Sequence, residues 1–426
     1  MGKKLFRSPK GVSDILPEEQ RLWQYVEKKI NRITQIYGYE KLGLPVFEAT
    51  ELFSRGVGET TDIVEKEMYT FIDKGKNSLT LRPEFTAGVM RSYLQHGMSN
   101  LPKPIKVWSI GPVFRYERPQ AGRFRQHTQF NVEALGVQDP ALDLEIMSIA
   151  WQLYDELGFK NLNFQINSIG CPKCRPMYLN QLKDYYKDHM SQICDECRRR
   201  IQINPLRVLD CKNEKCQTII ENAPDISNTL CEECSVHFQK LKYYLDNLNR
   251  PYTINKRLVR GLDYYTKTVF EVWAEGIGAQ NAVCGGGRYD GLAEILGGNP
   301  TPAVGFASGI ERIVLTLKQN NIDIPDTIKP KIYFAYLGEK AKNEVIKLVD
   351  GIRAAGIKAT MGFGSRSLKA QLRDAHKKNS DYAVIIGEHE VEKREAQIKD
   401  MRTFKEKYVP FKDIVSLAAK DEEIIK

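Results

Sequence analysis

The sequence contains no long hydrophobic run. No apolar stretch approaches the roughly 20 residues that a membrane-spanning helix needs, although hydrophobic residues make up 42% of the chain. The N-terminal stretch MGKKLFRSPKGVSD is positively charged but lacks the apolar segment of a secretory signal peptide. We therefore expect neither a membrane protein nor a secreted one, and we expect a cytoplasmic location.

A strong excess of one charge is also absent. The 63 basic and 54 acidic residues give a formal net charge of +9 over 426 residues. About +5 of this falls in residues 330–426, which carry 20 basic and 15 acidic residues. Such a bias is compatible with a polyanionic partner, although most such biases only favour solubility. The length and the charged content of 27% indicate a globular protein of two or three domains.

Residues 108–136, WSIGPVFRYERPQAGRFRQHTQFNVEALG, are the centre of the sequence. We predict two strands, residues 114–118 and 123–135, joined by a Pro/Gly turn at residues 119–122. Because side chains alternate along a strand, one face would carry Arg115, Glu117, Arg125, His127, Gln129, Asn131 and Glu133. Arginine binds phosphate oxygens in a bidentate way, and a Gln/Glu pair suits a small ligand with an amine. From these residues alone, an ordinary hairpin with one solvated face is equally compatible.

A second polar pair lies in LTLRPEFTAG, residues 79–88. We predict a strand that turns into a helix at Pro83, with Glu84 and Thr86 near the helix start. A carboxylate placed there can accept a ligand ammonium group. The alternative is that Glu84 only caps the helix.

Three further segments carry candidate ligand-binding residues. In RLVRGLDYYTKTVFE, Arg260 precedes a glycine that lets the backbone approach a ligand, and a predicted Tyr-rich strand with Tyr264 and Tyr265 follows. Such a strand is more often sheet core. VCGGGRYDGL, residues 283–292, is a Gly-rich loop that alone is weak evidence for phosphate binding. AVGFASGIERIVLTLK predicts a strand, a break at Gly309 and a helix whose first turn holds Arg312, an unfavourable position unless the arginine serves an anion.

These segments resemble motifs of a known family. FRYERPQAGRFRQHTQFNVE is similar to motif 2 of class II aminoacyl-tRNA synthetases, in the form carried by histidyl-tRNA synthetases. LRPE-x-TA resembles the amino-acid-binding segment of that family, although the residue after the glutamate, commonly small there, is Phe85 here. RGLDYY and GGGRYDGL resemble its two signatures, and residues 303–318 resemble motif 3 of class II enzymes. The resemblance covers the whole chain, from SPKGVSDILP to the C-terminal domain.

The resemblance implies a histidine–tRNA ligase activity in protein biosynthesis. Histidine and ATP would give histidyl-adenylate and pyrophosphate, with Mg²⁺ helping, and the histidyl group would pass to the 3′ end of tRNA(His). The implied catalytic residues are Arg115 and Arg260. The implied histidine-binding residues are Glu84, Thr86, Arg115, Gln129, Glu133, Arg260, Tyr264 and Tyr265, and the ATP-binding residues are Arg115, Glu117, Arg123 and Arg312. Arg118 and Gln120 would contact the tRNA acceptor end.

Two other functions remain open at this point. One is a non-catalytic, synthetase-like regulatory subunit of ATP phosphoribosyltransferase, which typically lacks the catalytic arginine signature and the C-terminal domain. The other is a class II synthetase for threonine, glycine or proline. The presence of Arg260 and of a C-terminal domain disfavours the first, and the RGLDYY and GGGRYDGL pair disfavours the second.

The expected architecture is α/β in class, with an α+β catalytic domain. Residues 1–325 would form an antiparallel sheet flanked by helices, with the first helix at residues 17–37. A strand before Pro45, a polar loop and a strand at residues 68–71 resemble motif 1, which implies a homodimer. Residues 171–250 would form an inserted helical, Cys-rich subdomain. After a linker at residues 322–329, residues 330–426 show a βαβαβ pattern, which the resemblance makes an anticodon-binding domain. No GxGxxG follows its first strand, so dinucleotide binding is unsupported.

Eight of the nine cysteines lie between residues 171 and 234. They form the close pairs Cys171/Cys174, Cys194/Cys197, Cys211/Cys216 and Cys231/Cys234. A reducing compartment disfavours disulfides, and the spacing is that of structural Zn²⁺ ligands in two Cys₄ sites. The alternative is that these cysteines are small buried residues that pack a helical insertion. The resemblance does not decide between them, because the family's defining motifs do not include these cysteines.

Overall fold

The computed structural model describes residues 5–119, 123–274, 282–320, 322, 324 and 331–419. The chain divides into two compact units, Met1–Ile324 and Pro325–Lys426. Among the described residues, none of the helices combines the length and the apolar character needed to cross a bilayer.

The first unit alternates strands and helices along the chain. Its strands are β1 (Glu40–Lys41), β2 (Phe47–Ala49), β3 (Tyr69–Ile72), β4 (Ser78–Leu81), β5 (Ile105–Phe114), β6 (Gln126–Leu135), β7 (Asn163–Ser168), β8 (Tyr252–Ile254), β9 (Thr266–Trp273), β10 (Ala282–Arg288) and β11 (Ala303–Gly309). Its helices are α1 (Pro17–Ile36), α2 (Thr50–Val57), α3 (Thr86–Gln95), α4 (Pro140–Glu156), α5 (Arg175–Lys187), α6 (Asp195–Ile203), α7 (Glu214–Glu221), α8 (Glu232–Asn247), α9 (Leu292–Ile295) and α10 (Ile310–Gln319).

An eight-stranded sheet is the framework of the first unit. Its strand order is β1-β5-β6-β11-β10-β9-β7-β8, and it is antiparallel except for the outer pairs β1/β5 and β7/β8. One face carries apolar side chains such as Phe130 and Val132, which join the core formed with α1, α4 and α10. The opposite face of β6 carries Gln129, Asn131 and Glu133, because side chains alternate along a strand. This confirms the predicted antiparallel sheet flanked by helices.

A smaller sheet of three strands, in the order β2-β4-β3, is formed by the segment between β1 and β5. Phe47, Phe71 and Ile72 are exposed on it, and the rings of Phe47 and Phe71 meet edge to face at 6.3 Å. The predicted polar loop after Pro45 is wrong, because α2 fills part of that segment and buries Phe53 and Val57.

Residues 171–250 contain the helices α5 to α8 and no strand, as predicted. Three short 3₁₀ turns, Met190–Gln192, Pro205–Val208 and Ile226–Asn228, connect the helices. Cysteine side chains contribute to the packing, with Cys197 and Cys216 fully buried beside Ile201 and Ile220.

The hairpin in residues 105–135 differs from the prediction at its tip. β5 ends at Phe114 and β6 begins at Gln126, so residues 115–118 are not a strand. The reason is that the backbone N–H of Tyr116 donates to the carbonyl of Glu67 at 2.7 Å, which draws this segment away from β6. The loop that carries the arginines is therefore longer than a Pro/Gly turn.

Two other boundaries also differ from the prediction. The helix expected at Pro83 begins at Thr86, because the Glu84 side chain accepts hydrogen bonds from the first turn. The glycines of VCGGGR lie in β10, a central strand, and not in a loop. A side chain at Gly286 would meet the carbonyl of Gly305 at 2.1 Å, so these glycines allow β10 and β11 to pack closely.

The second unit is a mixed five-stranded sheet with helices. Its elements are β12 (Ile332–Tyr336), α11 (Glu339–Ala354), β13 (Ala359–Met361), α12 (Leu368–Lys377), β14 (Tyr382–Ile386), α13 (Glu388–Lys393), β15 (Glu395–Asp400), β16 (Glu406–Pro410) and α14 (Phe411–Ala419). The predicted parallel pairs β12/β13 and β12/β14 are present. Two antiparallel strands that were not predicted, β15 and β16, extend the sheet beyond β14. Most of the predicted linker, namely residues 323 and 325–329, lies outside the described residues.

Candidate active site

A cavity of about 490 Å³ lies against the polar face of the eight-stranded sheet. Its walls contain all eleven residues predicted to bind histidine or ATP, namely Glu84, Thr86, Arg115, Glu117, Arg123, Gln129, Glu133, Arg260, Tyr264, Tyr265 and Arg312. They come from segments up to about 230 residues apart, so the fold brings together what the sequence keeps separate.

Gln129 offers an unused acceptor to the cavity. Its Oε1 atom is buried and has no hydrogen-bond partner in the part of the chain that the structure describes. A buried acceptor without a partner costs about 1–3 kcal/mol. The position therefore favours a ligand that donates an N–H or O–H group there.

Glu133 is the most buried carboxylate of the cavity, and three protein groups donate to it. Oε1 accepts from Thr86 Oγ1 at 2.6 Å and from Asn131 Nδ2 at 3.0 Å, while Oε2 accepts from the Tyr289 hydroxyl at 2.5 Å. Burial raises the pKa of Glu133 to about 7. A Cβ on Gly305 would lie 1.5 Å from Oε2, so the carboxylate occupies the space that a side chain at residue 305 would need.

Three tyrosines form the wall beside Glu133. The ring centroids of Tyr264 and Tyr265 are 4.7 Å apart, and those of Tyr264 and Tyr289 are 5.6 Å apart. Burial raises the pKa of all three hydroxyls, so they stay neutral and can donate. Tyr289 was not among the predicted site residues, although it stands within the quoted GGGRYDGL segment.

Glu84 caps α3 and lines the cavity as well. Its carboxylate accepts from the backbone N–H groups of Thr86 at 2.6 Å and Ala87 at 2.8 Å. Burial raises its pKa, and these hydrogen bonds oppose that effect. Glu84 therefore does cap the helix, as the alternative interpretation holds. Its carboxylate is at the same time buried at the cavity wall.

Arg260 precedes β9, and its side chain contacts both β9 and β10. Its guanidinium pairs with Glu271 on β9 and lies against Gly285, where a Cβ would stand 2.5 Å from Cζ. Its Nε atom is buried without a partner among the described residues. Glu271, which the sequence analysis missed, therefore orients a guanidinium that retains an unused donor.

Three further arginines line the cavity. Arg115 Nε donates to the carbonyl of Pro83 at 2.9 Å, and Arg123 pairs with Glu117 at 3.3 Å. Arg312, in the first turn of α10, donates to the carbonyl of Ala282. Burial and then the charge of Arg123 lower the pKa of Arg312, which indicates that the two cations repel each other and would gain from a bound anion.

Carboxylates stand among these arginines. Burial and then the charge of Glu117 raise the pKa of Glu67. Burial raises the pKa of Glu311 to about 7, and its Oε2 atom has no partner in the described part of the chain. Oxygen ligands of this kind suit Mg²⁺, so the residues present fit a magnesium-assisted phosphate site.

The structure also locates the residues that lie away from the cavity. Arg118 is exposed and does not line it, and Gln120 lies outside the described residues. Phe85 is buried beneath the guanidinium of Arg82, with 4.3 Å between Cζ and the ring centroid, and it is not part of the cavity wall. The unusual bulk at this position is thus accommodated outside the cavity wall, against Arg82.

Comparison with known proteins decides the family. A profile described as Histidyl-tRNA synthetase matches residues 11–173 and 202–313, and one described as Anticodon binding domain matches residues 331–421. Proteins of Pelotomaculum thermopropionicum and Acetivibrio thermocellus, both named histidine–tRNA ligase, are 52% and 48% identical to this chain. The alignments cover 92% of both chains in the first case, and 97% of this chain and 99% of the relative in the second. The chain belongs to the histidyl-tRNA synthetase family.

Solved structures agree with this membership. Apo histidyl-tRNA synthetase of S. aureus is 35% identical, with a TM-score of 0.83 over 97% of this chain and 100% of that chain. A protein of Bacillus halodurans described as an ATP phosphoribosyltransferase regulatory subunit/histidyl-tRNA synthetase has a TM-score of 0.64 at 20% identity, covering 90% of this chain and 98% of that one. This second likeness shows the shared fold alone.

The cysteines of this histidyl-tRNA synthetase family member form two groups that could each hold a metal ion. In what we call the outer cluster, the Sγ atoms of Cys171, Cys174, Cys231 and Cys234 all lie within 4.8 Å of one another. In the inner cluster, the same holds for Cys194, Cys197, Cys211 and Cys216. The family profile leaves residues 174–201 unmatched, so part of the insertion is outside the family's common sequence.

Proposed function

We propose that this chain activates L-histidine with ATP and transfers the histidyl group to tRNA(His). Membership of the histidyl-tRNA synthetases supports the reaction class. The observation that carries the proposal is the buried Gln129 Oε1, which has no hydrogen-bond partner among the described residues, in a cavity that also holds Glu133 and Arg260. Such a cavity suits a ligand that has an ammonium group and a polar ring, with an anionic group bound beside it.

Histidine would bind along β6. Its ammonium group donates to Gln129 Oε1 and to Glu84, and its imidazole donates to Glu133 and accepts from a tyrosine hydroxyl of Tyr264 or Tyr265. Thr86 holds Glu133 in place through its hydroxyl. Both ring nitrogens have partners in this arrangement. A substrate ring that lacks these nitrogens would leave the buried partner groups unpaired, at a cost of about 1–3 kcal/mol each.

Adenylate formation needs no covalent bond to the protein. The histidine carboxylate attacks the α-phosphorus of ATP, the bond to the bridging oxygen breaks, and pyrophosphate leaves. Charge grows on the α-phosphate in the transition state, where Arg115 and Arg260 stabilise it by preorganised electrostatics. Glu271 holds the Arg260 guanidinium in orientation before substrate arrives.

The outer phosphates of ATP would lie near Arg123 and Arg312. Both arginines line the cavity, and the lowered pKa of Arg312 fits an anion site. Glu117 and Glu67 would hold Mg²⁺, which neutralises phosphate charge when bound. Glu117 also orients Arg123 through their ion pair.

Transfer to tRNA would use both units. Arg118 and Gln120, in the loop after β5, would contact the acceptor end. Residues 330–426 would bind the anticodon as a separate domain from residues 1–325, supported by the match of residues 331–421 to the anticodon-binding family. The excess of basic over acidic residues in this unit suits an RNA partner.

We also propose a cytoplasmic homodimer. Phe47 and Phe71 are exposed on the same face of the three-stranded sheet, on either side of β4, and their rings meet at 6.3 Å, an apolar patch of the kind that marks an interface. The segment is the one that resembles motif 1.

Zinc is the ion that we propose for the outer and inner clusters. Four thiolates in a compact group are the ligand set of structural zinc, and the positions are free of disulfides. These ions would have a structural role, since no cysteine of either cluster lines the cavity.

The regulatory-subunit alternative is less well supported. It explains neither the match of the second unit to an anticodon-binding family nor the retention of Arg260 at a cavity that also holds Arg115.

Pyrophosphate exchange measured with each of the twenty amino acids tests the proposal. Exchange with histidine alone is the expected result. Exchange with another amino acid would replace the substrate assignment, and exchange with none would favour the regulatory role.

A further inference from the structure

We infer that the outer cluster binds a zinc ion whose task is to position the loop that carries Tyr264 and Tyr265. This inference rests on the proposed function, because that loop is assigned to histidine recognition. It adds a coupling between a metal site in the insertion and the amino-acid site.

The sulfur geometry of the outer cluster fits zinc. The Sγ atoms of Cys171 and Cys174 are 3.7 Å apart, those of Cys171 and Cys231 are 3.8 Å apart, and those of Cys174 and Cys234 are 3.8 Å apart. A tetrahedral site with Zn–S bonds of about 2.3 Å places its sulfurs about 3.8 Å from one another. The measured separations are therefore those of ligands around one ion.

The backbone is also arranged to receive this ion. The N–H group of Cys171 donates to Cys174 Sγ at 3.3 Å, a contact that fixes the position of this sulfur within the cluster. Gly170 has φ +67°, and a Cβ there would lie 2.9 Å from Cys174 Sγ. A side chain at residue 170 would therefore be strained and would crowd a ligand atom.

The two clusters are nested along the chain. The outer cluster joins the first and last cysteine pairs, whereas the inner cluster joins the second and third, with Sγ of Cys194 and Cys211 at 3.9 Å. The outer ion would hence close the base of the insertion, next to the sheet. The inner ion would hold the middle of the insertion.

The first connection to the active site runs through Arg175. This residue follows Cys174 and begins α5, a position where the helix dipole disfavours a cation. Its side chain donates to the carbonyls of Ile169 at 3.0 Å, Gly170 at 3.2 Å and Tyr265. One guanidinium thus joins the segment of the outer cluster to the backbone of a tyrosine that lines the cavity.

The second connection runs through Lys267, two residues after Tyr265. Its ammonium group donates at 2.7 Å to Glu233, which lies between Cys231 and Cys234. Its backbone N–H donates to Gly170 at 2.8 Å, and its carbonyl accepts from Ile169 at 2.8 Å. Lys267 has φ +50°, a conformation that these contacts hold in a residue other than glycine.

Both halves of the outer cluster therefore hold the same loop. The half with Cys174 contacts it through Arg175, and the half with Cys231 and Cys234 contacts it through Glu233 and Lys267. Without the ion, the two halves would separate and the tyrosine wall would lose its support. The inner cluster is connected less directly: among the described residues it has no comparable contact with Tyr265, although Asn204, at the end of α6, donates to Asp263 at 3.0 Å and Asp210, beside Cys211, lines the cavity.

The metal assignment is tested on the full-length dimer purified without chelator. Two zinc ions per chain are expected from elemental analysis, one for each cluster. Cys231→Ser should remove one zinc ion, and so should the matched inner variant Cys211→Ser. A folded protein with eight titratable thiols and no metal would overturn the assignment, as would iron in place of zinc.

The coupling is tested by comparing kinetic constants of these variants in pyrophosphate exchange. For Cys231→Ser, the KM for histidine should rise about ten-fold, the loss expected when one buried hydrogen bond is broken, while the KM for ATP changes little. Cys211→Ser should raise the KM for histidine much less, because no residue beside the inner cluster contacts Tyr265 among the described residues, even though Asp210 lines the cavity. Equal effects of the outer and inner variants would overturn the coupling.

Arg175 supplies a second variant, in case Cys231→Ser does not fold. Arg175→Ala should retain both zinc ions and raise the KM for histidine, and Arg175→Lys should recover part of the loss. An unchanged KM in Arg175→Ala would overturn the connection through this residue. Because zinc content is measured without substrate, failure of the metal site and failure of the proposed reaction give different results.

Discussion

The guanidinium of Arg260 lies directly against the backbone of Gly285, where a Cβ would stand 2.5 Å from Cζ. A methyl group at residue 285 should therefore displace the arginine from its ion pair with Glu271. We expect Gly285→Ala to reduce histidine-dependent pyrophosphate exchange by at least ~10-fold, a partial loss of one preorganised donor. Gly291→Ala is the control, because nothing lies within 4 Å of a Cβ there. Equal activity of the two variants would contradict the expectation.

Removal of the Arg260 side chain should have a larger effect. Arg260→Ala is expected to slow adenylate formation ~10²–10³-fold, because a donor to the charge that develops on the α-phosphate is lost. Histidine binding, measured by equilibrium dialysis or calorimetry, should weaken far less. Near-original exchange rates in the purified variant would refute the catalytic assignment.

Histidine binding should depend on the ionisation of Glu133. Burial raises the pKa of this carboxyl to about 7, so the carboxylate form, which we propose accepts from the imidazole, predominates above pH 7 and is lost as the pH falls. The KM for histidine should hence increase as the pH decreases from 8 to 6. Glu133→Gln should raise the KM and flatten this dependence. The titration of free histidine affects both proteins equally, so identical profiles would exclude Glu133 as the titrating group.

The second unit should be needed for tRNA and not for adenylation. A truncation after Pro325 is expected to retain histidine-dependent exchange, because every residue of the cavity lies before that point. Charging of tRNA should fall sharply, and RNA binding should show a smaller salt dependence because basic contacts are lost. Charging by the truncated protein at the original rate would show that this unit does not bind the tRNA.

The exposed apolar patch on the three-stranded sheet should control oligomeric state. Phe47 has 51% of its surface exposed, and a charge there would oppose burial in an interface. Phe47→Glu should shift the protein from dimer to monomer in sedimentation experiments. The control is Tyr243→Glu, at a similarly exposed aromatic residue on α8 (62%). A dimer that tolerates Phe47→Glu as well as the control would place the interface elsewhere.

Local patterns predicted the elements whose periodicity is strong. The stripe Leu22, Val26, Ile30 and Ile33 is buried on α1, as helical spacing indicates, although Ile36 at its end is exposed. The alternation along β6 placed Gln129 and Glu133 on one face, and both line the cavity. These predictions succeeded because they depend on spacing within a single element.

Predictions failed where distant segments determine the structure. The glycines 285–287 have the composition of a loop, yet they form a central strand because Arg260, Phe306 and Thr268 fill the space that side chains would take. The departure of Tyr116 from β5 depends on Glu67, about 50 residues earlier. Tyr289 and Glu271 were missed for the same reason: their partners, Glu133 and Arg260, are known only once the sheet has assembled.

The contact between Glu133 and Gly305 has a consequence for how this protein can evolve. The two residues lie opposite each other on β6 and β11, and the carboxylate fills the volume of the missing side chain. A larger residue cannot arise at position 305, since a Cβ there would collide with the carboxylate and would also lie 2.5 Å from the backbone carbonyl of Val132. Shortening residue 133 would therefore not open position 305, so a mutational route to a different amino-acid preference at this wall must run through residue 133 while residue 305 stays glycine.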